Sequence, residues 1–187
     1  MARLNETKPL KATVTHLEMV HRPSVHYPLP VNVHTALMSC RNMPLHFYRY
    51  LQYQVGKPWH WVCRLRMDNA ALAAVIHNEK TDIDVLYVDG APAGFFELFT
   101  QDDGVIDLAY FGMMPHVHGR GLGKWFLGEA INTAWDKKPA KLTVKTNTLD
   151  HPIALQLYQR FGFSPVSQEE ALIAPLTDAD HLRLARM

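Results

Sequence analysis

The sequence predicts a mixed α/β (α+β) fold on a mostly antiparallel sheet, and three observations lead there. The first is an antiparallel meander. Ile83 to Val88 reads as a strand, Asp89-Gly90 as a tight turn and Ala93 to Phe99 as a second strand. Asp102-Asp103-Gly104 turns the chain into a third strand, Val105 to Met114, ended by Pro115. The second is a glycine-rich loop at 119–123 that leads from this strand into a helix reaching Trp135, with Leu127, Ile131 and Ala134 on one face. The third is that the alternation continues. Lys141 to Thr146 reads as a strand, Asp150 and Pro152 open a helix that shows Ala154, Tyr158 and Phe161 on one face, and Gly162 closes it.

The flanks read less sharply. Two short strands are expected at Phe163–Val166 and Ala171–Leu176. Upstream, a helix starts after Asn42 and Pro44, carries Tyr48, Leu51 and Val55 on one face and ends at Gly56. Asp68 reads as the N-cap of a second helix through Ile76. Ala12 to Val20 alternates like a strand, and Pro23, Pro28 and Pro30 then force extended or turning backbone.

Composition narrows the function. With 187 residues, 48% hydrophobic and 20% charged, the chain suits one domain spanning 1–187 with a core that needs neither disulfides nor metal. A formal net charge of +1 offers no basic excess for nucleic acid. Cys40 and Cys63 read as free thiols of a reducing compartment. The opening Met-Ala-Arg-Leu-Asn-Glu-Thr-Lys lacks the apolar core of a signal peptide, and the longest apolar run, Ala70 to Ile76, is too short to span a bilayer. A soluble cytoplasmic protein without a membrane partner is expected.

His118-Gly119-Arg120-Gly121-Leu122-Gly123-Lys124 lies between a strand and a helix. Glycines let several N–H groups converge on one anion, and the helix N-terminus adds a favourable dipole. A phosphate or pyrophosphate is the natural ligand. A Walker loop would need glycine at 118 and Ser or Thr at 125, where His118 and Trp125 stand. A Rossmann fingerprint would need its third glycine at 124, where Lys124 stands. His116 and His118 have no cysteine or carboxylate partner nearby in the sequence, so no metal site is read here.

The segment Leu108 to Lys124 resembles the acetyl-CoA-binding motif of the GNAT superfamily of N-acetyltransferases: a strand, Gln/Arg-x-x-Gly-x-Gly/Ala, then a helix. The six positions here are His118, Gly119, Arg120, Gly121, Leu122 and Gly123, the first departing from the usual residue. Farther on, Asn147, Ala154, Tyr158, Gly162 and Phe163 resemble the family's second motif, an Asn, an alanine and Tyr-x-x-x-Gly-Phe. The resemblance covers 83–166. It implies about six to seven strands flanked by about four helices, and a V-shaped splay between the Val105–Met114 and Lys141–Thr146 strands. It further implies acetyl-CoA as co-substrate, backbone contacts to pantetheine near Phe111 and Met113, and pyrophosphate at His118 to Lys124. Asn147 and Ala154 would complete the cofactor site.

The implied reaction is direct acetyl transfer to a primary amine of a small molecule or peptide through a ternary complex. The amine must lose a proton, for which a carboxylate serves. Glu97 and Asp107 are the candidates. If Asp102-Asp103-Gly104 is a three-residue loop with Gly104 left-handed, Gln101 faces Val105, Glu97 faces Ala109, and Glu97 and Asp107 lie diagonally on one face. A two-residue turn would separate them, and each acid also reads as merely solvated. Tyr158 is the implied general acid for the leaving thiolate, against a plain reading as a core aromatic. His151 is either near the cleft or simply solvated. Trp59, Trp61, Tyr48 and Tyr50 are either the acceptor-pocket rim or core. A non-catalytic acyl-CoA-binding module is the alternative function, and exposed C-terminal strand edges offer a route to a homodimer.

Overall fold

The computed structural model describes residues 8–184. In chain order the elements are β1 (Leu10–Met19), β2 (Thr35–Ser39), α1 (Leu45–Gly56), α2 (Cys63–Arg66), α3 (Asn69–Ile76), β3 (Thr81–Val88), β4 (Ala91–Thr100) and β5 (Val105–Met113). They continue with α4 (Leu122–Asp136), β6 (Lys141–Asn147), α5 (Ala154–Arg160), β7 (Ser164–Ile173) and α6 (Asp178–Leu184). The strands form one seven-stranded sheet in the order β2-β3-β4-β5-β6-β1-β7, antiparallel everywhere except between β5 and β6.

The meander forms as its turn residues dictate. Asp89 and Gly90 both take left-handed backbone, with φ of 51° and 84°, the geometry of a two-residue hairpin turn. At the next corner Gln101 N–H donates to the Val105 carbonyl (2.8 Å) and Gly104 has φ 79°, so the loop has three residues and Gln101 faces Val105. Asp68 caps α3 by accepting from the Ala71 amide at 2.8 Å.

Apolar side chains fill both faces of the sheet. On one face Leu122, Phe126, Ala130 and Ile131 of α4, with Tyr158 of α5, pack on Phe96, Leu98, Ile106, Leu108 and Val144. On the other, Tyr48, Leu51 and Val55 of α1 and Leu72 and Ile76 of α3 pack on Ile83, Val85 and Phe95. Helices therefore cover both sides, a three-layer arrangement.

Three features depart from the sequence reading. The strands expected at 163–166 and 171–176 are one strand, β7, paired along β1 from Leu10 to Glu18. Its polar middle reads as loop but is edge strand held by side chains: Glu170 accepts from the Thr13 hydroxyl (2.8 Å), Gln168 donates to Thr15 (3.0 Å) and Glu169 bonds His16 (2.9 Å). The second is β2, an exposed five-residue edge strand with little apolar patterning. The third is that β1 lies between β6 and β7, so the chain from 20 to 34 must cross the sheet to reach β2 on the opposite edge. It crosses over α4 and α5, where Arg22 donates to Asp136 (2.8 Å) and Tyr27 packs on Phe161 with ring centroids 5.2 Å apart.

Gly112 allows β5 to meet α1 closely. A Cβ there would lie 2.4 Å from Val55 Cγ1 and 3.2 Å from the Trp61 ring. Gly112→Ala is expected to destabilise the protein by about 1–3 kcal/mol through overpacking, read as a lower urea midpoint at an unchanged m-value.

Candidate active site

β5 and β6 pair in parallel over only four positions, from Val105↔Lys141 to Leu108↔Val144. Beyond them the strands part, and a cleft of about 1080 Å³ opens between Ala109–Met113 on one wall and Lys145 and Asn147 on the other. A bulge starts the parting. Leu98 pairs with Leu108 and Glu97 with Tyr110, leaving Ala109 as the extra residue. The Met114 amide donates to the Ala93 carbonyl of β4 at 2.7 Å, and backbone groups alternate along a strand. The N–H and C=O of Met113 and Phe111 therefore point away from β4, into the cleft.

The loop at 118–124 forms the mouth. Gly119 and Gly121 have φ of 76° and 77°, torsions that side chains resist. Gly121 is the N-cap of the fifteen-residue helix α4 and supplies no capping side chain. The first amides of α4, at Leu122, Gly123 and Lys124, have no intrahelical acceptor and face this opening. The cradle fits a pyrophosphate by its geometry and by the dipole of a long helix. Lys124 Nζ stands 5.2 Å from the Tyr27 ring centroid at the same opening. Arg120 turns aside: its guanidinium donates to Asp89 at 2.9 Å and does not line the cleft.

Tyr158, Ala154 and Leu157 of α5 line the cleft from the α4–α5 side. Tyr158 is 7% exposed, and its hydroxyl makes no hydrogen bond among the described residues. Burial, then the Asp150 carboxylate, pushes the phenol well above its ordinary pKa, so it stays protonated at neutral pH. Asn147 lines the cleft and turns the chain after β6, its Oδ1 accepting from the Leu149 amide at 2.8 Å. His118 bonds the Met113 carbonyl (3.0 Å), and His151 packs on Trp59 with ring centroids 5.1 Å apart. Both histidines face the cleft.

Glu97 and Asp107 share the α1–α3 face of the sheet, but Glu97 is opposite Tyr110 and not Ala109, because of the bulge. They share no bond. Glu97 is completely buried, accepting from the Tyr48 hydroxyl and from Arg64 at 2.7 Å, while Gln52 donates to the Tyr48 oxygen at 2.8 Å. Burial acts most strongly on the Arg64 guanidinium and lowers its pKa, but the Glu97 carboxylate, Tyr48 and Tyr110 together hold it above its ordinary value. Burial, then Glu97, likewise pushes the Tyr48 phenol up. Asp107 accepts from the Thr143 hydroxyl at 2.8 Å, and burial raises its carboxyl. Neither acid lines the cleft.

Residues 44–163 match the model of the acetyltransferase (GNAT) family. The chain belongs to that family. GNAT proteins use acetyl-CoA as co-substrate, and solved structures agree on the fold. A GNAT-family acetyltransferase structure from Novosphingobium aromaticivorans superposes with a TM-score of 0.59 at 13% identity, covering 92% of this chain and 68% of its own. A GCN5-related N-acetyltransferase from Kribbella flavida gives 0.57 at 16% identity, covering 90% and 61%. The protein AAC(6')-Iy, in complex with the bisubstrate analogue CoA-S-monomethyl-acetylneamine, gives 0.53 at 20% identity, covering 70% and 91%. The chain thus spans less than two thirds of some structures that it matches. No curated protein matches the sequence.

Several cleft residues escape a reading of the GNAT motifs. Trp59 and Trp61 line it, whereas Tyr48 belongs to the buried network and Tyr50 is 42% exposed. Cys63 and Arg66, from α2, and Lys145 also line it, and nothing in their spacing marks them. Asp150 reads as a helix opener, yet it accepts from Trp61 Nε1 (3.2 Å), the Thr146 hydroxyl (2.9 Å) and the Asn147 amide (2.9 Å). Among the described residues no cluster of His, Cys, Asp or Glu is placed to hold a metal ion.

Arg64→Met would leave the Glu97 carboxylate buried with only its tyrosine partner. A loss of about 3–5 kcal/mol is expected from chemical denaturation. The double variant Arg64→Met/Glu97→Gln is expected to recover most of it, because the orphaned charge is then gone.

Proposed function

We propose that this protein transfers an acetyl group from acetyl-CoA directly to a primary amine in a ternary complex. The observation that carries this reading is the cleft between β5 and β6, with the free amides of the 121–124 turn at one end and Tyr158 beside it. The pyrophosphate sits on the amides of Gly119 and Gly121 to Lys124. Arg120 serves through its backbone position, since its side chain pairs with Asp89. The pantetheine amides bond the outward-facing backbone of Phe111 and Met113, as an added strand would. His118, Asn147 and Ala154 complete the walls of this channel.

In the chemical step the neutral amine attacks the thioester carbonyl, an amide N–H near Met113 supports the oxyanion, and the Tyr158 phenol protonates the departing thiolate. Asp107 takes the amine proton, through water. It lies two residues before the bulge, and burial makes its carboxyl a stronger base than an exposed one. Glu97, tied to Arg64 and Tyr48, positions the acceptor wall. No covalent enzyme intermediate is involved. The two cysteines are free, consistent with work in the cytoplasm.

Calorimetric titration of acetyl-CoA tests the premise. Wild type is expected to bind in the micromolar range, about −8 kcal/mol. Gly121→Glu, which puts a side chain and a negative charge at a left-handed position, is expected to lose binding while keeping its circular-dichroism spectrum. No binding by wild type would remove the premise.

Tyr158→Phe separates transfer from binding. Its kcat is expected to fall about a hundredfold or more with the acetyl-CoA dissociation constant little changed. Because the phenol is pushed up, its ionisation does not cut activity at moderately alkaline pH, and wild-type rates rise with pH as the amine deprotonates. Unchanged kcat in the variant would exclude Tyr158 as the acid, and binding without turnover of any amine would leave a CoA-binding module.

A further inference from the structure

The glycine loop opens on a residue that the family pattern does not carry. In place of Gln or Arg this chain has His118, the only one of the three that changes charge near neutral pH. Its ring nitrogen Nε2 lies 3.0 Å from the Met113 carbonyl oxygen. A carbonyl only accepts, so Nε2 carries a proton and donates it. Nδ1 is then the nitrogen left to gain or lose one. In the neutral ring it is a bare lone pair, and in the imidazolium it is a second donor. His118 is exposed at the mouth of the cleft and directly precedes Gly119, so solvent protons reach it beside the amide cradle.

The charged neighbours of this ring come from four segments. His116 precedes it on its own loop, and His60 lines the cleft from the 59–61 segment. From α4 come Lys124, which stands against the Tyr27 ring, and Arg120, which is paired with Asp89. From the turn after β6 come Asp150, whose oxygens accept three hydrogen bonds, and His151, whose ring centroid is 6.4 Å from that of His118. His151 Nδ1 accepts from the Ile153 amide at 3.3 Å, so a proton added there breaks a bond, whereas Nδ1 of His118 has no such bond to lose. Asp150 is the sole acid among the described residues lining the cleft, and it is already committed. A diphosphate on the loop amides brings two negative charges beside a ring whose second nitrogen is a lone pair. Protonation turns that repulsion into a charge-assisted contact.

We propose that His118 takes up a proton from solvent when the diphosphate of acetyl-CoA binds, so that cofactor affinity falls as pH rises through neutrality. The imidazolium keeps its Nε2 bond to Met113 and offers Nδ1–H to the diphosphate. Because the complex holds one more proton than the free protein, proton and cofactor each promote the binding of the other. This rests on the acetyl-CoA site described above and adds its regulation by pH. Gln or Arg at the same position would give no such coupling, since neither titrates in this range.

Calorimetry of acetyl-CoA binding in buffers of different ionisation enthalpy counts the protons exchanged. At pH 7.5 wild type is expected to take up about half a proton or more, and its affinity to fall about tenfold between pH 6.5 and 8.5. His118→Gln, which can still donate to the Met113 carbonyl, should show no uptake and a flat affinity. His118→Arg should be flat as well, but about tenfold tighter than wild type at pH 8.5. The 3′-phosphate of the cofactor also titrates near neutrality, so 3′-dephospho-acetyl-CoA is the second ligand, and it is expected to give the same uptake. Uptake that needs the 3′-phosphate, or that persists in His118→Gln, overturns the proposal and leaves the cofactor site standing. So does binding by wild type with no uptake. No binding of either ligand at any pH overturns the acetyl-CoA site, and this inference with it.

Discussion

The parting of β5 from β6 after one short stretch of parallel pairing is the constraint on which the rest of the site depends. Parallel neighbours need a crossover, and α4 supplies it from the loop at the end of β5. The bulge at Ala109 adds twist where pairing stops, and Gly112 brings the diverging strand against Val55 and Trp61. Polar backbone at Phe111 and Met113 is thereby left without a strand partner in the middle of a sheet, which is costly unless water or a ligand satisfies it. The same loop that completes the crossover exposes the first amides of α4 at the mouth. Opening and anion cradle thus arise from one topological event.

A second constraint fixes the α1–α3 side of the cleft. Glu97 is buried with its charge, so it must be paired where it stands. Its partners come from two helices, Tyr48 of α1 and Arg64 of α2, and Arg64 also lies 5.6 Å over the Tyr110 ring of β5. A buried ion pair of this kind adds little net stability, but losing one partner is severe, so it holds α2 in one place. Because α2 carries Cys63 and Arg66, a network outside the cleft decides what the cleft presents.

The glycine-loop end of the cleft was legible in the sequence because it is local. The glycine loop, the three-residue turn at 102–104 and the Asn147–Phe163 segment each lie within a short stretch whose residue types follow from backbone torsion or helix periodicity. The rest of the cleft lining was not legible because it is assembled from 59–66, Tyr110, Lys145 and 172–173, which only the sheet order brings together. That order puts β1 between β6 and β7, a pairing with no local signal, and makes one long edge strand from a polar run that resembles a loop. The bulge had the same effect on a smaller scale. It shifted Glu97 from Ala109 to Tyr110 without changing the face, and burial then committed its carboxylate to Arg64.

In the proposed transfer the sheet also separates the two proton movements. Tyr158 belongs to the core cluster of the α4–α5 face, whereas Asp107 and Lys145 sit on the α1–α3 face. A pantetheine threaded between β5 and β6 passes from one side to the other, so the amine approaches from one face while the thiolate departs toward the other. The two groups then never compete for one proton. Burial pushes the Tyr158 phenol and the Asp107 carboxyl in the same direction, upward. For the phenol this preserves the acid form, and for the carboxylate it strengthens the base. A single physical cause, exclusion of water along a partly opened sheet, thus suits each group to the opposite half of the reaction.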